Sequence, residues 1–276
     1  MTPLQAVAEA MAVHQRGELE LAEQLYDKIL EAHPQEPNAL QYRGVLRLHQ
    51  RRHEEGLALI RQSLAIDPGN AHAWNNLGNG LRVSGDREAA CAAFEEALRL
   101  APHLHLVSFN LGTLLVRLAR YREAIAAFER AAEGRPDYDD AYENLGRLYY
   151  RFNEIDKAHA TYLKWLQMAP EHPVALHMAA ATAPAGAPPP ARATDEYVRR
   201  AFDEFAHGFD ESLAGLGYRA PQLVTTAPGC QPEALRTAPA ILDAGCGTGL
   251  CGPLLRPLAS RLDGVDLSEK VVELAA

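Results

Sequence analysis

Residues 71–104 read AHAWNNLGNGLRVSGDREAACAAFEEALRLAPHL, from Ala71 to Leu104. Their reading decides the fold, because the marked positions recur along the chain. Proline stands at Pro34, Pro68, Pro102, Pro136 and Pro170, each 34 residues after the last. Glycine recurs in step at Gly44, Gly78, Gly112 and Gly146, and a small residue at Ala22, Gly56, Ala90, Ala124 and Ala158. A bulky one follows at Tyr26, Ile60, Phe94, Phe128 and Tyr162. Each column has a physical role. Glycine and alanine let two antiparallel helices approach, the bulky side chain fills the space beside them, and the proline ends the second helix. Between these columns apolar residues keep helical spacing, as in Ala90, Phe94, Ala97 and Leu98.

A fixed period of this length is the signature of a stacked repeat. The residues Trp74, Leu77, Gly78, Leu81, Ala90, Phe94, Ala97 and Pro102 resemble the tetratricopeptide repeat. Five copies are expected, at 3–36, 37–70, 71–104, 105–138 and 139–172. The first departs most, with Ala10 for the glycine and Glu9 for the leucine. The second carries Arg43 and Arg47 where apolar residues are usual. Terminal repeats are often atypical because one side faces water. Val174, Ala175, Leu176 and Met178 then predict a short capping helix over the end of repeat five.

Stacked repeats curve, and their first helices line the concave side. Asn76, Asn110 and Asn144 form a column there. An asparagine amide both donates and accepts, so the ladder suits clamping a peptide backbone, as a similar ladder does in some arrays of this family. The alternative is that these side chains bond neighbouring helices. His72, Asn75, Asn79, Phe109, Asp140 and Arg147 would set specificity around the ladder. The partner expected in the groove is a protein or peptide.

The net charge of −9 argues against general nucleic-acid binding, which needs a basic footprint. The cysteines Cys91, Cys230, Cys246 and Cys251 form no CxxC pair, and no HExxH is present, so neither a disulfide framework nor a metal site is expected. His103 and His105 read as surface residues. No apolar run has the length of a membrane span, and residues 1–17 read as an amphipathic helix rather than a signal peptide. The compartment expected is the cytoplasm.

At 181–191 the composition shifts to ATAPAGAPPPA, an extended spacer. Beyond it, residues 195–213 (DEYVRRAFDEFAHGFDESL) predict one or two helices carrying Tyr197, Phe202, Phe205 and Phe209, an aromatic stripe whose simplest reading is core packing. Gly215, Gly217 and Pro221 mark a turn, and 222–237 holds room for another short helix. Ala240–Ala244 reads as a buried parallel strand and Gly245-Cys-Gly-Thr-Gly249 as a tight turn. A helix to about residue 260 follows, then a strand over 262–266 and an N-cap at Ser268. A strand, a glycine loop, a helix and a second strand ending in an acid suit a nucleoside cofactor. Gly247, Gly249 and Gly252 also fit the GxGxxG pattern of dinucleotide sites.

The frame ILDAGCGTG, with Asp243 before the loop and Asp266 in GVDLS, resembles motif I of class I S-adenosylmethionine-dependent methyltransferases. The order of repeats, proline-rich linker, aromatic helix and motif I resembles bacterial predicted methyltransferases with N-terminal tetratricopeptide repeats. This resemblance implies an all-α tetratricopeptide solenoid over 3–180 and a linker over 181–193. The N-terminal part of an α/β Rossmann-like methyltransferase domain, with an incomplete sheet, follows over 194–276. It implies S-adenosylmethionine as cofactor. Gly245, Gly247 and Gly249 would contact it, Asp243 would order its methionine end and Asp266 would bind its ribose, with the aromatic helix as a cover. The resemblance implies a seven-stranded sheet of which two strands are visible here, and the later strands normally supply the adenine and substrate-side residues, so the catalytic residues stay unknown. Two functions follow as expectations. One is a methyltransferase whose array recruits a protein, with an incomplete catalytic domain. The other is a non-catalytic adaptor with a vestigial cofactor half-site.

Overall fold

The computed structural model describes residues 2–135, 137–184, 193–226 and 238–275. The chain divides into two compact units, Met1–Pro170 and Glu171–Ala276.

The first unit is five helical hairpins. They are α1 Pro3–Gln15 with α2 Leu19–Ala32, α3 Pro37–His49 with α4 His53–Ile66, α5 Ala71–Ser84 with α6 Arg87–Leu100, α7 His105–Arg117 with α8 Tyr121–Gly134, and α9 Asp139–Arg151 with α10 Ile155–Met168. Every hairpin begins at the residue where the sequence period places a repeat. The glycine column works by close approach. A methyl group at Gly78 would lie 2.6 Å from the Phe94 ring, at Gly112 2.8 Å from Phe128, and at Gly146 2.5 Å from Tyr162. Those rings are fully buried, as are Tyr26 and Ile60 at the same position. Each second helix stops two residues before its proline. His33, Asp67, Ala101, Arg135 and Ala169 all take φ between −128° and −140° there, the extended geometry that a following proline demands. Pro136 itself lies outside the described residues.

One column was not legible in the sequence. Gly17, Arg51, Gly85, Ala119 and Asn153 all have positive φ, at 81°, 61°, 95°, 58° and 60°, and they too are 34 apart. Each sits in the turn between the two helices of its hairpin. The next amide reaches back into the first helix, as from Arg52 to the Arg47 carbonyl at 2.9 Å and from Arg120 to that of Leu115 at 2.9 Å. This satisfies a carbonyl that the helix end leaves free.

The two arginines that departed from the repeat pattern hold repeats one and two together. Arg47 is buried and pairs with Glu23 of α2 at 2.6 Å, while Arg43 pairs with Asp27 at 2.7 Å. Gln50 donates to the same Glu23 at 2.9 Å. Hydrogen bonds from Gln50 and Arg47 hold the Glu23 carboxyl below its ordinary range. His105 corrects its sequence reading as a surface residue. Its ring lies over Gly134, where any Cβ would fall within 1.7 Å of it, and its Nδ1 is buried. His103 is exposed.

The second unit opens with the expected helix after Pro170, α11 Pro173–Ala181. Then come α12 Asp195–Phe205, a 3-10 turn Ala206–Gly208, α13 Phe209–Gly215 and α14 Ala220–Thr226. Within this unit His177 of α11 stacks on Tyr197 of α12 at 3.9 Å, and Arg200 lies 3.1 Å from His172. The spacer at 185–192 and the stretch 227–237, with Cys230, lie outside the described residues. After them β1 Ala240–Ala244 pairs in parallel with β2 Arg261–Val265, with Asp243 opposite Gly264. The element between the strands is shorter than expected. α15 spans only Gly252–Leu255 and passes into a 3-10 turn at Arg256–Leu258. Pro253 and Pro257 cannot donate to a longer ladder. α16 Glu269–Ala275 follows, and Ser268 caps it, its Oγ accepting from the Val271 amide at 3.2 Å.

Candidate functional site

The loop after β1 turns on three left-handed glycines, with φ of 80° at Gly245, 55° at Gly247 and 81° at Gly249. Only glycine adopts this run without strain. The backbone folds back onto the end of β2, where the Gly245 and Cys246 amides donate to the Val265 carbonyl at 2.7 and 3.1 Å. Asp266 follows directly. Its Oδ2 accepts from the Gly247 amide at 3.0 Å and its Oδ1 from the Ser268 amide at 3.0 Å.

A cavity of ≈ 660 Å³ lies over this loop, a size usual for small-molecule sites. Gly245, Gly247, Thr248, Val265 and Asp266 form its floor, and Val198, Phe202, Phe209, Leu213 and Tyr218 form its cover. The expected core role of the aromatic stripe is therefore corrected. α12 buries no residue, Phe205 is 58% exposed, and Phe202 meets Phe209 edge-on at 5.8 Å across the cavity wall. Two acids that sequence reasoning did not single out pin the cover to the floor. Ser268 Oγ donates to Asp203 at 2.5 Å, and Thr248 Oγ1 donates to Asp210. Both acids belong to the FDEFAHGFD segment.

Not every expected cofactor residue meets in this cavity. Asp243 and Gly249 line a second, more open cavity of ≈ 710 Å³ with Gly264, Arg256 and Ala275. Cys246 and Thr248 border both. Burial raises the Cys246 and Cys251 thiols, with the Asp266 and Asp243 charges adding to Cys246 and Asp243 to Cys251, which disfavours the thiolate of both. The single-turn α15 also offers almost no dipole for an anion. Among the described residues no cluster of three or more His, Cys, Asp or Glu could hold a metal.

On the array, the first helices of neighbouring repeats reach one another, α1 to α3 and α3 to α5. Elements that approach more closely lie on the inside of a curve, which puts α1, α3 and α5 on the inner side of the stack, and α7 and α9 are the same helices of the next repeats. Asn76, Asn110 and Asn144 are half-buried on α5, α7 and α9. Asn144 donates to the Asp140 carbonyl of its own helix at 2.8 Å, and no described bond carries Asn76 or Asn110 to a neighbouring helix. Around them Asn79 donates to Asn75 at 3.5 Å and Arg147 pairs with Glu143 at 3.2 Å. Phe109 turns inward, its ring 4.7 Å from Tyr138 and 5.6 Å from Phe128. Among the described residues no helix is long and apolar enough to cross a membrane.

Family models described as tetratricopeptide repeat match residues 7–71 and 109–173 in one case and 69–137 in another. The human methyltransferase-like protein 27 is 42% identical over 78 residues, covering 27% of this chain and 31% of that protein. The peroxisomal targeting signal receptor of Candida albicans is 32% identical over 81 residues, covering 29% of this chain and 14% of the receptor. The chain thus spans under a third of either relative. Among solved structures YrrB, described as a TPR protein with an unusual peptide-binding site, superposes with a TM-score of 0.51 at 24% identity, covering 64% of this chain and 91% of YrrB. From residue 7 to residue 173, this chain belongs to the tetratricopeptide repeat family.

Proposed function

We propose that the chain is a protein-interaction adaptor whose first unit holds an extended peptide along the Asn76, Asn110 and Asn144 ladder. The observation that carries this reading is that Asn76 and Asn110 stand half-buried on the inner helices with no described bond to a neighbouring helix. Their amides can each offer a donor and an acceptor to a passing backbone. YrrB, which shares the fold, is described as having a peptide-binding site. The test is selection of a displayed random-peptide library on the immobilised full chain. Wild type enriches binders that an Asn76→Ala/Asn110→Ala/Asn144→Ala variant with unchanged thermal unfolding fails to retain. Equal enrichment by both proteins rules the ladder out.

A second reading concerns the glycine loop. It is supported by the three left-handed glycines, the acid at the end of β2, the aromatic cover and the short methyltransferase-like match. In this reading the second unit carries the cofactor loop of a class I methyltransferase and takes S-adenosylmethionine, and the array brings a protein to it. Gly245 and Gly247 would pass the cofactor close to the backbone. Asp266 spends two acceptor positions on Gly247 and Ser268, and a carboxylate has about four, so two remain for ribose hydroxyls. Phe202 and Phe209 would exclude water. When bound, the cofactor's sulfonium supplies an electrophilic methyl group. Asp243 and Gly249 border the adjoining cavity, which shares Cys246 and Thr248 with the first, and would contact the cofactor from that side. The compartment proposed for both readings is the cytoplasm.

A further inference from the structure

We propose that the groove of the central repeats is built for an acidic peptide segment. The inference rests on the groove reading above and adds the chemistry of its occupant. The chain has a net charge of −9, yet the inner helices α3, α5 and α7 contain no Asp or Glu. The acids of these repeats lie on the second helices, for example Glu95 and Glu96 on α6 and Glu129 and Glu133 on α8, or in the turns, at Asp67, Asp86 and Asp137. Charge is therefore segregated by face. On α3 the two arginines are already spent on Glu23 and Asp27. On α5 and α7 they are not. Arg82 and Arg117 are exposed, and no ion pair among the described residues uses either.

Arg117 shares a stripe with the ladder asparagine of its helix, Asn110, whereas Arg82 shares one with Asn75 and Asn79, which flank the ladder at Asn76. On α5, Asn75, Asn79 and Arg82 follow at i, i+4 and i+7. On α7, Asn110, Thr113 and Arg117 follow at i, i+3 and i+7. Such spacings place them on one helix face. A backbone held at Asn110 then runs past the Arg117 guanidinium, and Arg82 lies beside it on the Asn75 and Asn79 flank, with no competing carboxylate on either helix. α9 reverses the pattern, carrying Asp139, Asp140 and Glu143, the last paired with Arg147, and so bounds the basic stretch. Guanidinium groups bind carboxylates in a fixed fork, and complementary charge sets partner choice and association rate more than total affinity.

The test is fluorescence anisotropy of the full chain with three labelled peptides of equal length, repeats of Ser-Glu-Gly, Ser-Gln-Gly and Ser-Lys-Gly, and with single-stranded oligothymidylate. The acidic peptide should bind about tenfold or more tighter than the neutral one, with a preference that fades as salt rises. An Arg82→Glu/Arg117→Glu variant, assayed well below the unfolding temperature of both proteins because each change places an acid at a helix C-terminus, should favour the Lys peptide. If the neutral peptide binds as well as the acidic one and depends on the asparagines, the groove reading stands and this proposal falls. If no peptide binds, both fall. Binding of oligothymidylate in place of the acidic peptide overturns the proposal in favour of a nucleic-acid partner.

Discussion

The amide of Gly247 donates to Oδ2 of Asp266 at 3.0 Å, tying the glycine loop after β1 to the acid after β2. One side chain therefore shapes the loop and also faces the cavity. If that cavity takes S-adenosylmethionine, Asp266→Ala should weaken its binding about ten- to a hundredfold, since hydrogen bonds to a charged group contribute about 1.5–3 kcal/mol. Titration calorimetry on the full chain reads this, and an unaltered Kd removes Asp266 from the site.

The array depends on contacts with no tolerance for a methyl group. Gly78→Ala places a Cβ 2.6 Å from the buried ring of Phe94. Overpacking of this kind costs about 1–3 kcal/mol, which outweighs the roughly 1 kcal/mol of helix propensity that alanine supplies. The urea midpoint of the helical signal should fall, and adding Phe94→Leu should recover part of the loss. A midpoint that rises for Gly78→Ala alone contradicts the packing described.

The left-handed turn column gives the opposite sign. Ala119 has φ of 58° with a Cβ that this region disfavours. Ala119→Gly relieves that strain but loosens the unfolded chain, so the net gain expected is about 0.5–1 kcal/mol. Gly85→Ala, starting from φ of 95°, should lose at least as much. Chemical denaturation of the two variants checks both signs.

Stability should also depend on acidity through repeat one. His14 is buried, edge-on to Tyr26, with its Nε2 3.0 Å from Nδ1 of His49. Burial, and then the charge of His49, lower its pKa from the ordinary 6.5. Between those two values the unfolded chain binds the extra proton. The contribution is therefore complete above about pH 6.5 and is lost as pH falls through that value toward the lowered one, at no more than ~1.4 kcal/mol per pH unit for one proton. Urea midpoints measured from neutral to mildly acidic pH should show this fall, and His14→Leu should flatten it. An equal slope in both proteins would assign the effect to another group.

The five repeats were legible because their determinants are local and periodic. The glycine, ring and proline columns each act within one hairpin, so their spacing alone names the partners. The left-handed column was hidden because Gly, Arg, Gly, Ala and Asn share a backbone conformation without sharing chemistry. The Arg47–Glu23 pair was hidden for a related reason: it joins residues that break the repeat pattern. In the second unit the strand pairing and the loop were legible from glycine spacing, but β1 buries none of its residues, against the buried strand expected, and α15 stays short because Pro253 and Pro257 end its ladder.

The sequence by itself determined the helical array, its register and the glycine loop, because steric rules for glycine, proline and helix faces operate over a few residues. Only the tertiary structure decided which acids serve the loop. Asp203 meets Ser268 and Asp210 meets Thr248 across separations of 65 and 38 residues. It also placed Asp243 and Asp266 on adjoining cavities that share Cys246 and Thr248. Such pairings depend on how elements pack in three dimensions, and no local pattern encodes that.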